Sequence, residues 1–193
     1  MSDAGGFPHP VYAETVLAPL FEGVKRHHAE DMDRINRAHL VMLAETGILS
    51  RDDAVRIAGA LRAIAAETDI AALTYDGAHE DYFFLVEHEL RRRLGDLGGA
   101  LHTARSRNDM DHTLFRMALR ERGARLMAQL AHLAEQLIDK AGAERDTLIV
   151  GYTHGQPAQP TTFGHYLGAV IEVLLRDAAR LDAALDALER CPM

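Results

Sequence analysis

The chain has 193 residues, with 29 acidic against 21 basic side chains and a formal net charge of −8. That balance argues against general nucleic-acid binding and against anionic membranes. No apolar run reaches the ~18 residues needed to span a bilayer, and a single cysteine excludes an intramolecular disulfide and suits the reducing cytoplasm.

Residues 1–10 lack the cationic and apolar regions of a secretory signal and read as a disordered or loosely docked arm. Helical signals dominate the rest of the chain, since Ala, Leu, Arg and Glu are abundant and prolines few. From Leu17 to Leu43 apolar residues recur at helical spacing, with a softer stretch near His27–Asp31. Gly47 reads as the residue after that helix. Ser50, followed by Asp52 and Asp53, reads as the N-cap of the next, which frays near Thr68. Tyr75-Asp76-Gly77 is a turn. Glu80–Leu94 is helical again, and Gly95, Gly98 and Gly99 break it.

Two long helical stretches come next, from about Asn108 to Ala143 and from about Thr162 to Glu189. The second is ~42 Å long at 1.5 Å per residue, a length common in bundles. Val170, Ile171, Leu174 and Leu175 make its apolar face wider than one partner helix can cover. Further helices, from other subunits or from chain outside this sequence, are therefore expected against it. No alternating β-branched run stands out, so no large sheet is expected. Cys191, near the chain end, reads as a buried small hydrophobe. The expected fold is all-α: an N-terminal helical domain over residues 1–103, then residues 104–193 as the first part of a bundle of long antiparallel helices.

Two polar clusters carry the chemistry. Leu101–His112 contains Arg105, Ser106, Arg107 and Asn108 where an irregular stretch meets the first long helix. Ser106 or Asn108 suits an N-cap, with Asp109 and Asp111 complementing the helix dipole. Arginines at a helix start oppose that dipole. Their presence suggests an anionic partner, a carboxylate ligand or Glu80 and Asp81 of the protein itself. The second cluster, Gly151–Pro160, reads structurally as a helix–helix connection capped by Thr161 or Thr162. Thr153, His154, Gln156 and Gln159 exceed what a connection needs, and an imidazole such as that of His154 can pass a proton. No spacing of two histidines and a carboxylate suggests a metal. No dinucleotide or phosphate-binding loop occurs, so no cofactor is expected.

His102-Thr103-Ala104-Arg105-Ser106-Arg107-Asn108-Asp109 resembles the His-Thr-Gly-Arg-Ser-Arg-Asn-Asp motif of the argininosuccinate lyase branch of the fumarase/aspartase superfamily. Tyr152–Pro160 matches that superfamily's Tyr-Thr-His-x-Gln-x-Ala-Gln-Pro motif throughout. Ile35–Leu49 and His79-Glu80-Asp81 are also similar to the family, and the likeness runs over roughly residues 35–193. It implies an all-helical cytoplasmic homotetramer acting on a small dicarboxylate, with each site drawn from three subunits. The implied reaction is β-elimination across a C–N bond, most simply argininosuccinate to arginine plus fumarate. Ser106, Arg107 and Asn108 would hold substrate carboxylates, and Thr153 would hydrogen-bond one. His154 would be the acid, or the residue orienting it, and Gln159 would position substrate. The family's serine-bearing GSSxMPxKxN loop does not occur in these residues, so this piece alone is expected to be inactive.

Three departures bear on the substrate. Ala104 replaces the motif's Gly, Met110 replaces the common Gln, and His9–Val24 does not match the family's Phe-Asn-x-Ser loop. A lyase for another N-substituted aspartate and a non-catalytic helical scaffold, as in some lens crystallins, are the alternatives.

Overall fold

The structure, a computed structural model, describes residues 8–193. The arm expected at residues 1–10 lies mostly outside the described residues. His9 already caps a short helix, α1 (Pro10–Tyr12), its Nδ1 accepting from Val11 N. A π-helical stretch (Ala13–Leu17) then leads into α2 (Ala18–His27). Next come α3 (Ala29–Glu45) and α4 (Arg51–Glu67), then α5 (Tyr82–Leu94) and a 3-10 stretch (Gly95–His102). α6 (Arg107–Ala143), β1 (Leu148–Thr153), β2 (Gln156–Thr162) and α7 (Phe163–Ala187) complete the chain. The all-helical expectation holds, with one two-stranded hairpin added. None of these helices is long and apolar enough to cross a membrane, among the described residues.

The chain divides into two compact units: the described residues through Leu114 with Pro192–Met193, and Phe115–Cys191. In the first unit, the soft stretch near His27 is a real break, since His28 leaves helical geometry at φ −133°. Ser50 caps α4 as expected, its Oγ accepting from Asp53 N at 3.0 Å. Gly47 takes the left-handed conformation after α3, at φ +75°. α5 starts at Tyr82, because the Asp81 carboxylate accepts from Phe84 N and so ends the preceding turn. The core is built from Leu17, Phe21, Leu43, Ile57, Leu90 and Leu101, among others, all nearly inaccessible. Gly98 is part of this packing. A Cβ there would sit 2.5 Å from the Leu90 carbonyl carbon, so only glycine lets the 3-10 stretch lie against α5.

In the second unit, α6 and α7 run antiparallel. Arg116 donates to the carbonyls of Ala187 and Arg190, and Gly123 meets Leu185. At the other end, Gly164 lies against Ala141 and Arg145. Leu167 and Ile171 are buried, whereas Leu119, Leu126, Leu133, Tyr166, Val173 and Leu175 stay exposed. Of the four residues that made the apolar face wide in sequence, Ile171 is buried and Leu174 half-buried, while Val170 and Leu175 stay exposed. Cys191 is exposed, contrary to expectation. It lies past the end of α7, beyond the side chains that α6 and α7 bury against each other.

Candidate functional site

The first cluster sits at the start of α6. Ser106 is the cap, and its bonds with Asp109 are reciprocal. Ser106 N donates to Asp109 Oδ2 at 2.8 Å, and Asp109 N approaches Ser106 Oγ at 3.4 Å. This is a capping box with aspartate at its third helical position. Both Ser106 and Asn108 are exposed.

Arg107, on the first turn, is held from α5's N-terminal edge. Its Nη1 donates to Glu80 Oε1 at 2.9 Å and to Asp81 Oδ2 at 3.0 Å, and Asp111 stands 3.9 Å from its Nε. Burial lowers the guanidinium's proton affinity, but Asp81 and Glu80 raise it more, so it stays charged. His79-Glu80-Asp81 is thereby partly explained: two of the three fix this arginine. Both bonds use Nη1, which leaves Nη2 outside them.

Arg105 is held instead from α3. Its Nη2 donates to Asn36 Oδ1 at 2.6 Å and lies 3.3 Å from His102 Nδ1. Burial pulls its pKa down to about 10, and no carboxylate offsets that. His102 packs edge-on against Phe83, ring centroids 4.8 Å apart. Burial first, then the Arg105 charge, push its pKa down to about 4, so it is neutral at pH 7. His39 Nε2 lies 2.9 Å from the Thr103 carbonyl oxygen, and burial likewise lowers its proton affinity. Between the two anchored residues, Ala104 adopts φ +61°. The motif's usual glycine is thus replaced by alanine at a position whose backbone favours glycine.

The second cluster is the β1–β2 hairpin, which replaces the expected connection. Leu148 pairs with Thr162 and Thr153 with Gln156, leaving His154-Gly155 as a two-residue turn. Their φ values, +50° and +72°, are those of a type I′ turn, whose twist matches the flanking strands. The register slips between Val150 and Tyr152, so Gly151 faces two residues of β2 as a bulge. Pro157 and Pro160 read as breakers in sequence. In a two-stranded hairpin every strand is an edge, and an edge tolerates proline. Thr153, His154 and Gln159 are all exposed. Thr162, rather than Thr161, caps α7, accepting from His165 N at 3.2 Å.

Ser106, Arg107 and Asn108 therefore share one helical turn in the first unit, and Thr153 and His154 share one hairpin tip in the second, with Gln159 farther along β2. Asn36 and His39 escaped the sequence reading. The available signal was two polar residues three apart on α3's apolar stripe. Among the described residues, no group of three or more His, Cys, Asp or Glu side chains is placed to hold a metal ion.

Comparison with known proteins bears on this arrangement. A family model described as "Lyase" matches residues 25–193. Argininosuccinate lyase 2 of Agrobacterium fabrum (strain C58 / ATCC 33970) is 55% identical over 193 residues, covering 100% of this chain and 38% of that protein. Argininosuccinate lyase of Bartonella bacilliformis (strain ATCC 35685 / KC583 / Herrer 020/F12,63) is 38% identical over 156 residues, 81% of this chain and 34% of that one. Among solved structures, a variant of EDDS lyase with bound fumarate superposes with a TM-score of 0.73 at 31% identity, over 95% of this chain and 36% of that one. The chain thus spans little more than a third of the length of the proteins it matches.

Proposed function

Because the chain belongs to the lyase family, as an N-terminal portion of the argininosuccinate lyase branch of the fumarase/aspartase superfamily, we propose that it forms part of an enzyme that cleaves argininosuccinate to arginine and fumarate. The observation that carries this reading is the 55% identity, along the whole chain, with a protein named argininosuccinate lyase 2. The geometry supports it. Ser106, Asn108, Thr153, His154 and Gln159 are all exposed, so ligand contact costs no unfolding of the core.

The part of the substrate that leaves as fumarate is a four-carbon dicarboxylate. One carboxylate is received at the start of α6, where the Ser106 hydroxyl, the backbone N–H groups of Arg107 and Asn108, the Asn108 amide and Arg107 Nη2 are the donors. Glu80 and Asp81 hold the Arg107 guanidinium in a fixed orientation, so little side-chain entropy is lost on binding. Thr153 hydrogen-bonds substrate and Gln159 positions it. His154 delivers a proton to the leaving nitrogen or orients the group that does. No metal or cofactor takes part. The protein works in the cytoplasm as a homotetramer, without nucleic-acid or membrane partners, and residues 104–193 begin its central bundle after an N-terminal domain of residues 1–103. The exposed apolar side chains of α6 and α7 support that assembly, because a larger bundle would cover them.

A second reading keeps the elimination and changes the amine. The likeness to EDDS lyase at 31% identity favours it, since that name cites a different substrate. One experiment separates the two. In a chimera, this chain replaces the matching part of the Agrobacterium fabrum relative, and fumarate release is followed by absorbance with argininosuccinate and with other N-substituted aspartates. Turnover of argininosuccinate supports the first reading, preference for another adduct the second. Loss of fumarate release from every adduct, in a chimera that still folds, rejects both.

A further inference from the structure

The proposed binding and proton transfer use neither Asn36 nor His39, yet these polar residues are 4% and 5% exposed on the apolar stripe of α3. Buried polar groups persist where their hydrogen bonds are made. Both bonds go to one short loop. A carbonyl only accepts, so His39 Nε2 carries the proton that it donates to Thr103 O at 2.9 Å. Arg105 Nη2 donates to Asn36 Oδ1 at 2.6 Å. The residue caught between those two anchors is Ala104, at φ +61°. An alanine left to itself is disfavoured there by roughly tenfold. Ser106, which caps α6, comes two residues later.

We propose that Asn36 and His39 are positioning residues: a two-point clamp from α3 that holds Ala104 in the left-handed conformation and so aims Ser106, Arg107 and Asn108. The functional part of this inference rests on the reading of those three residues as the carboxylate end of the site. The clamp itself does not. It explains how this chain carries alanine where the family motif has glycine. The conformation that glycine adopts freely is here imposed by two hydrogen bonds from a helix more than sixty residues earlier in the sequence.

The test has two readouts. Hydrogen exchange of residues 103–107 is followed by mass spectrometry in the full 193-residue chain. KM and kcat are measured in the chimera with the Agrobacterium fabrum relative. His39→Ala and Asn36→Ala are expected to speed exchange across 103–107 roughly tenfold and to leave α4 unchanged. His39→Gln, which keeps an N–H donor, restores most of the protection. In the chimera, His39→Ala raises KM roughly tenfold with kcat changed less than about twofold. Adding Ala104→Gly then lowers KM again several-fold, which simple loss of packing would not allow. Unchanged exchange in both alanine variants overturns the clamp. Faster exchange with unchanged KM overturns the positioning role, by showing that substrate binding does not depend on the clamp, and leaves the reading of Ser106, Arg107 and Asn108 to their own substitutions. If His39→Ala does not fold, Asn36→Ala and its combination with Ala104→Gly give both readouts.

Discussion

Asp81 links α5 to the start of α6, and its removal has effects that can be separated. One carboxylate oxygen caps α5 through Phe84 N at 3.2 Å, while the other accepts from Arg107 Nη1 at 3.0 Å. The residue is 5% exposed, so water replaces neither bond well. Loss of an N-cap costs ~1 kcal/mol, and a hydrogen bond to a charged group contributes ~1.5–3 kcal/mol. Asp81→Ala removes both, while Arg107 keeps Glu80, so the expected loss is ~2–4 kcal/mol. Asp81→Asn keeps the side-chain carbonyl as cap and loses only the charged contact, for a loss of ~1–3 kcal/mol, about 1 kcal/mol less than Asp81→Ala. Urea unfolding followed by far-ultraviolet circular dichroism measures the difference. With a slope of ~2 kcal/mol/M, Asp81→Ala shifts the midpoint by ~1–2 M. A shift of Asp81→Ala corresponding to less than ~0.5 kcal/mol would refute the argument, being no larger than that of an ordinary surface substitution. Equal losses in the two variants would show that the cap contributes nothing.

Four further outcomes are expected. His102 has a folded pKa of about 4 against the ordinary histidine value of 6.5. Between those values the unfolded chain binds a proton that the folded chain does not, so stability is full above pH ~6.5 and falls as the pH drops toward 4, by up to ~3 kcal/mol. His39 is shifted in the same direction. Urea midpoints at pH 7.5, 5.5 and 4.5 measure this slope, and His102→Asn should flatten it. Gly98→Ala forces a Cβ into the Leu90 and Arg91 backbone and should cost ~1–3 kcal/mol. Gly59→Ala, in open space on α4, should stabilise by ~0.5–1 kcal/mol, both being read from thermal or urea unfolding. His154→Asn suits the positive φ of the hairpin turn, so exchange protection of β1 and β2 should persist. In the chimera the same change should cut fumarate release by ~100-fold or more if His154 passes a proton. Unchanged release would remove it from the mechanism.

The helices were legible because their signals are local. Ser50 and Asp53 sit three residues apart and bond each other, and apolar spacing marks α3, α4 and α7 without reference to any other element. The hairpin was not legible. Its strongest local signals, Pro157, Pro160 and two glycines, also describe a loop, and only the pairing of Leu148 with Thr162 distinguishes the two. The polar residues behind the site were hidden for a related reason. Arg105 and Arg107 were visible as charges at a helix start, and the Glu80 and Asp81 that hold Arg107 were among the partners the sequence offered, but the Asn36 that takes Arg105 lies 69 residues away. Periodicity carries no information about which buried stripe a distant loop will meet.

Sequence and structure disagree most usefully at two positions. Among the described residues, Ala104 and His154 are the non-glycine residues with positive φ. One lies two residues before Ser106, and the other is itself an expected site residue, each within one of the two polar clusters. Folding alone favours glycine or asparagine at both places. The cost is met locally in each case: Ala104 is bracketed by the bonds of Thr103 and Arg105 to α3, and His154 is followed by Gly155 in a turn whose twist suits its strands. Strain that survives because its surroundings impose it is a better pointer to function than strain that could relax. Replacing each residue by the one its backbone favours therefore tests the two sites differently. Glycine at 104 should leave fumarate release by the chimera intact, because there the backbone conformation is what matters. Asparagine at 154 should not if, as proposed, the imidazole passes a proton there.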